Sequence, residues 1–177
     1  MKIALAQINL TIGDLKGNIR KIRDYAAKAK EQGCRLVIFP EMAVTGYPPG
    51  DLLTRRELLA AAGRAVEHLA QDIEGIAAVI GSPEYHLAQG GGRRVDVYNS
   101  AFFFDGRGSV KAWRKQNLVD YDLVDERRYF TSGGQDVERA MLEGLSMGIS
   151  VGEDIEGPES PMKKQAEAGA DFLVSIG

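Results

Sequence analysis

Residues 36–53, LVIFPEMAVTGYPPGDLL, constrain the fold of this chain more than any other stretch. Leu36, Val37, Ile38 and Phe39 form an unbroken apolar run between turn formers. A strand covered on both faces has that pattern, whereas a half-exposed strand alternates. Pro40 lacks the N–H that a ladder needs, so the strand ends there and leaves Glu41 at its C-terminal edge. In open α/β sheets that edge is where ligands bind. Gly46, Tyr47, Pro48, Pro49 and Gly50 then exclude regular structure and predict a stiff loop that carries an aromatic ring over the same edge. On pattern alone, Glu41 fits a helix cap or a surface ion pair as well as it fits a chemical role.

The chain has 177 residues, 44% apolar and 27% charged, which suits one soluble domain over residues 1–177 with a sizeable core. A net charge of −3 with interspersed signs gives no basic stripe, so nucleic acid and anionic membranes are excluded as main partners. No apolar run reaches membrane-spanning length or resembles a secretory segment, and the expected compartment is cytoplasmic. The one cysteine, Cys34, excludes an internal disulfide and a thiolate metal cluster. It lies just past a helix stop with no cationic neighbour in sequence, and so reads as a small buried apolar residue. The two histidines, His68 and His86, are too far apart in sequence to suggest a zinc site.

In chain order, residues 2–10 read as a strand and residues 11–17 as a turn. A helix is predicted from near Asn18, with Ile19, Ile22, Ala26 and Ala29 on one face and Gly33 as its stop. Thr54 is placed to cap a second helix running to about Asp72, in which Leu58, Leu59, Ala62, Val66, Leu69 and Ile73 hold helical spacing. His68 on that helix reads as a surface or packing residue. Residues 77–81 predict a buried strand whose extension closes at His86, before the loop of Gly90, Gly91 and Gly92. Residues 95–105 and 109–115 predict a hairpin, with Tyr98, Phe102 and Phe104 on one face as core. After a break at 127–136 come two strands, 137–142 and 145–151, parted by Glu143-Gly144. A helix over 158–169 and a strand over 171–176 follow. Alternating helices and strands define an α/β architecture. A chain that stops on a buried strand predicts further elements beyond Gly177.

Three strand ends carry candidate chemistry: Glu41 after LVIF, Lys115 after VKAWR, and Gly152-Glu153-Asp154 after MGISV. In order, FPEMAVTGYPPGDLL, RKQNLVDYDLVDERRYF and GISVGEDIEGPESP with KQAEAGADFLVSIG resemble the nitrilase superfamily of carbon-nitrogen hydrolases. Within it they are most similar to the glutamine-hydrolysing domains of glutamine-dependent NAD+ synthetases. The similarity runs over essentially the whole chain, and the YPPGDLL and DERRYF segments favour that branch over nitrilases, carbamoylases and simple amidases.

The resemblance implies a four-layer α-β-β-α sandwich and chemistry by a Glu, a Lys and a Cys. It places the acid on Glu41 and the ammonium on Lys115, with Glu126 as a supporting acid and Tyr121 and Glu153 as residues that hold the substrate, L-glutamine. A desolvated carboxylate can take a thiol proton and return it to departing ammonia, while an ammonium stabilises the oxyanion. No cofactor is implied for this domain. ATP and Mg2+ would belong to a synthetase domain that these residues do not include, and a homo-oligomer is implied. The nucleophile's position is held by Gly152, which has no side chain to form a thioester, so the chain is expected to hydrolyse glutamine negligibly. Two other readings stand beside this one. A stand-alone amidase relative or a non-catalytic scaffold could keep the same sandwich. Ser132-Gly133-Gly134-Gln135-Asp136 also matches the SGGxD start of a phosphate loop, but no helix is predicted to follow it, and a plain turn is the better expectation.

Overall fold

The computed structural model describes residues 1–87, 95–121, 124–134 and 137–177. Its elements are β1 (Ile3–Leu5), α1 (Leu15–Glu31), β2 (Leu36–Ile38), α2 (Arg56–Asp72), β3 (Ala77–Leu87), β4 (Val95–Phe104) and β5 (Val110–Arg114). A short pair, β6 (Asp120–Tyr121) and β7 (Val124–Asp125), is followed by β8 (Arg139–Leu142), β9 (Leu145–Val151), α3 (Pro161–Glu167) and β10 (Phe172–Ile176). Single 3-10 turns cover Gly50–Thr54, Glu126–Arg128 and Gly152–Ile155.

The main sheet has the order β1-β2-β3-β4-β5, parallel through β3 and antiparallel after it. Two reversals return β5 to the direction of β2, so both strands end at the same edge. A second sheet, β10-β9-β8, pairs β10 parallel and β8 antiparallel to β9.

The period of two along each strand sorts side chains between two cores. Val37, Phe39, Ala78, Ile80 and Phe104 face the helices and pack with Ile22, Ala26 and Ala29 of α1 and Ala62, Val66 and Leu69 of α2. Leu36, Ala77, Val79, Ala101, Phe103 and Trp113 face the other way and meet Met147, Ile149, Val151, Val174 and Ile176 of the second sheet. With α3 on the far side of β9 and β10, the layers run α-β-β-α, the arrangement that the family resemblance implied. Truncating Phe104, 1% exposed between sheet and helices, would cost about 3–5 kcal/mol. The inner face of β1 is less covered: Ile3 and Leu5 stand in register with Leu36 and Ile38 yet are 37% and 78% exposed. The second sheet lies against β4 and β5 instead.

Several boundaries differ from the sequence expectation. α1 begins at Leu15, because the Asp14 carboxylate caps the Gly17 N–H. Asn18 is a buried tie within the helix, not its start, accepting from Thr11 N–H and donating to Thr11 O and Val44 O. Thr54 is not the cap of α2: its hydroxyl donates to Asp51 O inside the 3-10 turn, and Arg55 precedes the helix. α3 spans only Pro161–Glu167, with the Ser160 hydroxyl as its cap. Of the three β4 aromatics expected as core, Tyr98, Phe102 and Phe104, only Phe104 is fully buried. Tyr98 lies under the Arg114 guanidinium, 4.2 Å from its ring centre, and Phe102 is half-buried at the edge of the helical core. The Gly90–Gly92 loop and two residues of the SGGxD segment, Gln135 and Asp136, lie outside the described residues.

Candidate active site

Glu41 leaves the sheet where the sequence places it. Phe39 N–H still bonds to Val79 O at 2.8 Å, after which residues 41–45 turn across β3. That turn is pinned at Gly81, whose N–H donates to Pro40 O and whose carbonyl accepts from Val44 N–H, both at 3.2 Å. A Cβ on Gly81 would stand 2.5 Å from Met42 N and Pro40 O and 2.7 Å from Glu41 Cα. Only a residue without a side chain lets the turn lie this close.

Lys115 is the first residue past β5 and is 2% exposed. Its Nζ lies 2.7 Å from Glu126 Oε1, 2.5 Å from Glu153 Oε2 and 3.6 Å from Glu41 Oε1. Glu126, 4% exposed on its 3-10 turn, accepts the Val119 N–H on its other oxygen at 3.0 Å. Asp154 accepts the Gln116 and Asn117 N–H groups at 3.0 and 2.7 Å, which ties the segment after Lys115 to the turn after β9. That turn begins at Gly152 with φ +49°. An ideal Cβ on Gly152 would be 2.8 Å from Lys115 Nζ and 3.7 Å from Glu41 Oε2. The point where a side chain would start therefore lies between the ammonium and the acid.

Three carboxylates and one ammonium share this space, and their protonation follows from burial and pairing. Desolvation holds the Glu41 carboxyl above its ordinary range, against the opposing pull of Lys115 and a hydrogen bond from Asn99. Burial alone would push Lys115 down, but Glu41, Glu126 and Glu153 together override it and keep the ammonium above the usual lysine range. Partial burial, with Glu41 and Glu126 nearby, raises the Tyr47 hydroxyl. Beside Glu126, a cavity of about 320 Å³ opens between the Tyr47-Pro48-Pro49 loop and Tyr129. The two walls are joined where Tyr129 donates to Asp51 at 2.6 Å and Arg128 approaches the same carboxylate at 3.7 Å. A proton-accepting acid, a fixed ammonium and a pocket beside them can polarise and cleave a carbonyl compound once a nucleophile is supplied.

Five of the six site residues expected from sequence, Glu41, Lys115, Glu126, Gly152 and Glu153, are brought together. For the sixth, Tyr121, the backbone pairs with Val124, and its side chain lies outside the described residues. Cys34 is buried just before β2, at the end away from Glu41. His68 is exposed on α2, and His86 sits beside Glu84 at 2.6 Å. Among the described residues no group of His, Cys, Asp or Glu could hold a metal ion, and no helix is long and apolar enough to cross a membrane. Sequence reasoning missed Asn99, Gly81 and a backbone-tying role for Asp154. The available signal was a buried polar pair, Asn99-Ser100, inside an apolar strand, where asparagine is disfavoured.

The fold and this cluster define the class: residues 2–177 match the carbon-nitrogen hydrolase family, and the chain belongs to it. Its curated relatives include glutamine-dependent NAD(+) synthetases. That of Xanthomonas campestris is 35% identical over 177 residues, covering 98% of this chain, and that of Acinetobacter baylyi is 36% identical over 154 residues, covering 87%. The chain spans only 30% and 27% of those proteins' lengths. Among solved structures, the glutamine-dependent NAD+ synthetase of Acinetobacter baumannii superposes with a TM-score of 0.81 at 30% identity, covering 98% of this chain and 31% of that one. An amidase from Nesterenkonia sp. AN1 gives the same TM-score at 29% identity, covering 99% of this chain and 66% of that one. One structure of the Nesterenkonia amidase is described with acrylamide added at its active site cysteine.

Proposed function

We propose that this chain is a glutamine-amide hydrolase unit of the NAD+ synthetase type whose nucleophile is replaced by Gly152. In the complete reaction, Glu41 takes the thiol proton and later delivers it to departing ammonia, while the Lys115 ammonium steadies the oxyanion. Glu126 holds the Lys115 ammonium at 2.7 Å, and Glu153 and Tyr121 contact the glutamine. The ammonia would serve an ATP-dependent amidation in a separate domain. The observation that carries this reading is the position of the Gly152 Cβ, 2.8 Å from Lys115 Nζ and 3.7 Å from Glu41 Oε2. The active site cysteine named for the Nesterenkonia amidase supports a thiol in sites of this kind.

Loss of a nucleophile that acts with its base as a unit costs about 10⁶-fold in turnover, so the chain itself should release no measurable ammonia from glutamine. The test is Gly152→Cys. The new side chain adopts a left-handed backbone position at a cost of about 1–2 kcal/mol, and the end of Lys115, 2.8 Å from the new Cβ, must move aside. Ammonia release from L-glutamine, together with a glutamyl adduct on the new thiol by mass spectrometry, is the expected result. A folded Gly152→Cys protein with neither would favour the scaffold reading. Hydrolysis of simple amides but not glutamine would favour a stand-alone amidase.

A further inference from the structure

Asn99 stands in the middle of β4, 0% exposed. Its side chain and its backbone reach two different groups of the cluster. Asn99 Nδ2 donates to Glu41 Oε1, and the Asn99 carbonyl accepts the Lys115 backbone N–H at 2.8 Å. One residue thus sets both the acid and the strand end from which the ammonium projects.

The bond selects between the two oxygens of Glu41. Oε1 receives Asn99 Nδ2 and faces Lys115 Nζ at 3.6 Å. Oε2 is the oxygen turned towards the Gly152 position. A carboxylate held by one oxygen and open at the other has a fixed direction for proton exchange, and that direction is towards the vacant side-chain position.

The remaining half of the Asn99 amide argues against a purely structural role. Among the described residues Oδ1 has no hydrogen-bond partner, although the side chain is fully buried. A buried orphan acceptor costs about 1–3 kcal/mol, and an apolar residue of similar size would avoid that cost. Asn99 is therefore a poor choice for packing and a good one for holding Glu41.

We propose that Asn99 is a positioning residue that fixes the Glu41 carboxylate so that Oε2 faces the nucleophile's place. Its hydrogen bond also helps to hold down a carboxyl that burial pushes up, within a cluster where Lys115 opposes and Glu126 and Glu153 reinforce that rise. The geometry does not depend on the substrate, although the catalytic arm of the test rests on the proposed function.

The test uses Asn99→Leu in the chain as it stands, with Glu41 followed by carboxyl ¹³C NMR and assigned by Glu41→Gln. Loss of the donor should move the Glu41 titration midpoint upwards. An unchanged midpoint in a folded Asn99→Leu protein overturns the proposal, because packing alone would leave it in place. Should Asn99→Leu fail to fold, Asn99→Ala removes the donor without adding bulk or charge and must give the same upward shift. In the Gly152→Cys background, Asn99→Leu should lower kcat about 10²-fold with KM little changed. A shifted midpoint with an inactive Gly152→Cys protein would sink the glutaminase reading and leave Asn99's role intact.

Discussion

Replacing Lys115 by Met tests the site's electrostatics without any assumption about catalysis. The methionine stem retraces most of the lysine path, so little cavity opens and the change is close to removal of one buried charge. That charge faces carboxylate oxygens at 2.5, 2.7 and 3.6 Å, each a raw attraction of about 5–7 kcal/mol at an effective dielectric of 20. Desolvation cancels most of this, and removing one partner of such a buried group typically costs about 3–5 kcal/mol. The loss carries a pH signature. Without Lys115 the Glu41 carboxyl rises further above its unfolded value, so the folded state holds a proton that the unfolded chain releases. Stability then falls as pH climbs from about 4.5 through the raised folded value of Glu41. Urea unfolding followed by circular dichroism should show the midpoint of Lys115→Met lowered by about 1.5–2.5 M at pH 8, given a slope of about 2 kcal/mol/M, and by clearly less at pH 5. An equal loss at both pH values, or a loss below about 1 kcal/mol at pH 8, would refute the claim that the ammonium neutralises a buried acid cluster.

Gly81→Ala forces a methyl against the backbone of residues 40–42, and urea unfolding should show a loss of about 1–3 kcal/mol. Glu84 bonds to Arg114, His86 and Ser100; burial alone would raise it, but these bonds win and lower its carboxyl from 4.5 to about 2. Its contribution of up to about 3 kcal/mol is present above pH 4.5 and is lost as pH falls towards 2. Glu84→Gln should therefore weaken the protein at pH 7 and converge on the parent in acid, as read by unfolding curves across that range. Asp51→Ala removes an exposed tie between the two loops, so stability should change by less than about 1 kcal/mol, while amide hydrogen exchange in residues 47–53 speeds up.

How much could be read beforehand depended on how local each cause was. β2 and its exit at Glu41 were legible because an apolar run, a proline and an acid are neighbours in sequence. The burial of Ala77, Ala78, Val79 and Ile80 on both faces of β3 was legible from their unbroken apolar run, whereas the four-layer order came from the family resemblance. The start of α1 was misplaced because Asp14, not Asn18, supplies the cap, and either residue type suits a helix start. Asn18 instead ties Thr11 to Val44, 26 positions away from it, which no local pattern announces. Asn99 escaped for the same reason, since its partner Glu41 lies 58 positions away. Tyr98 looked like core because period two places it beside Phe102 and Phe104, yet Arg114, brought alongside by the β4–β5 pairing, covers the ring instead.

The uncovered flank of β1 bears on how this polypeptide behaves in a tube. A strand at the border of a sheet presents unsatisfied main-chain donors and acceptors, and here Ile3 and Leu5 add an oily margin to them. At high concentration, neighbouring copies should zip along that border unless another stretch of polypeptide lies over it, and a lysine in place of Leu5 should keep the solution clear.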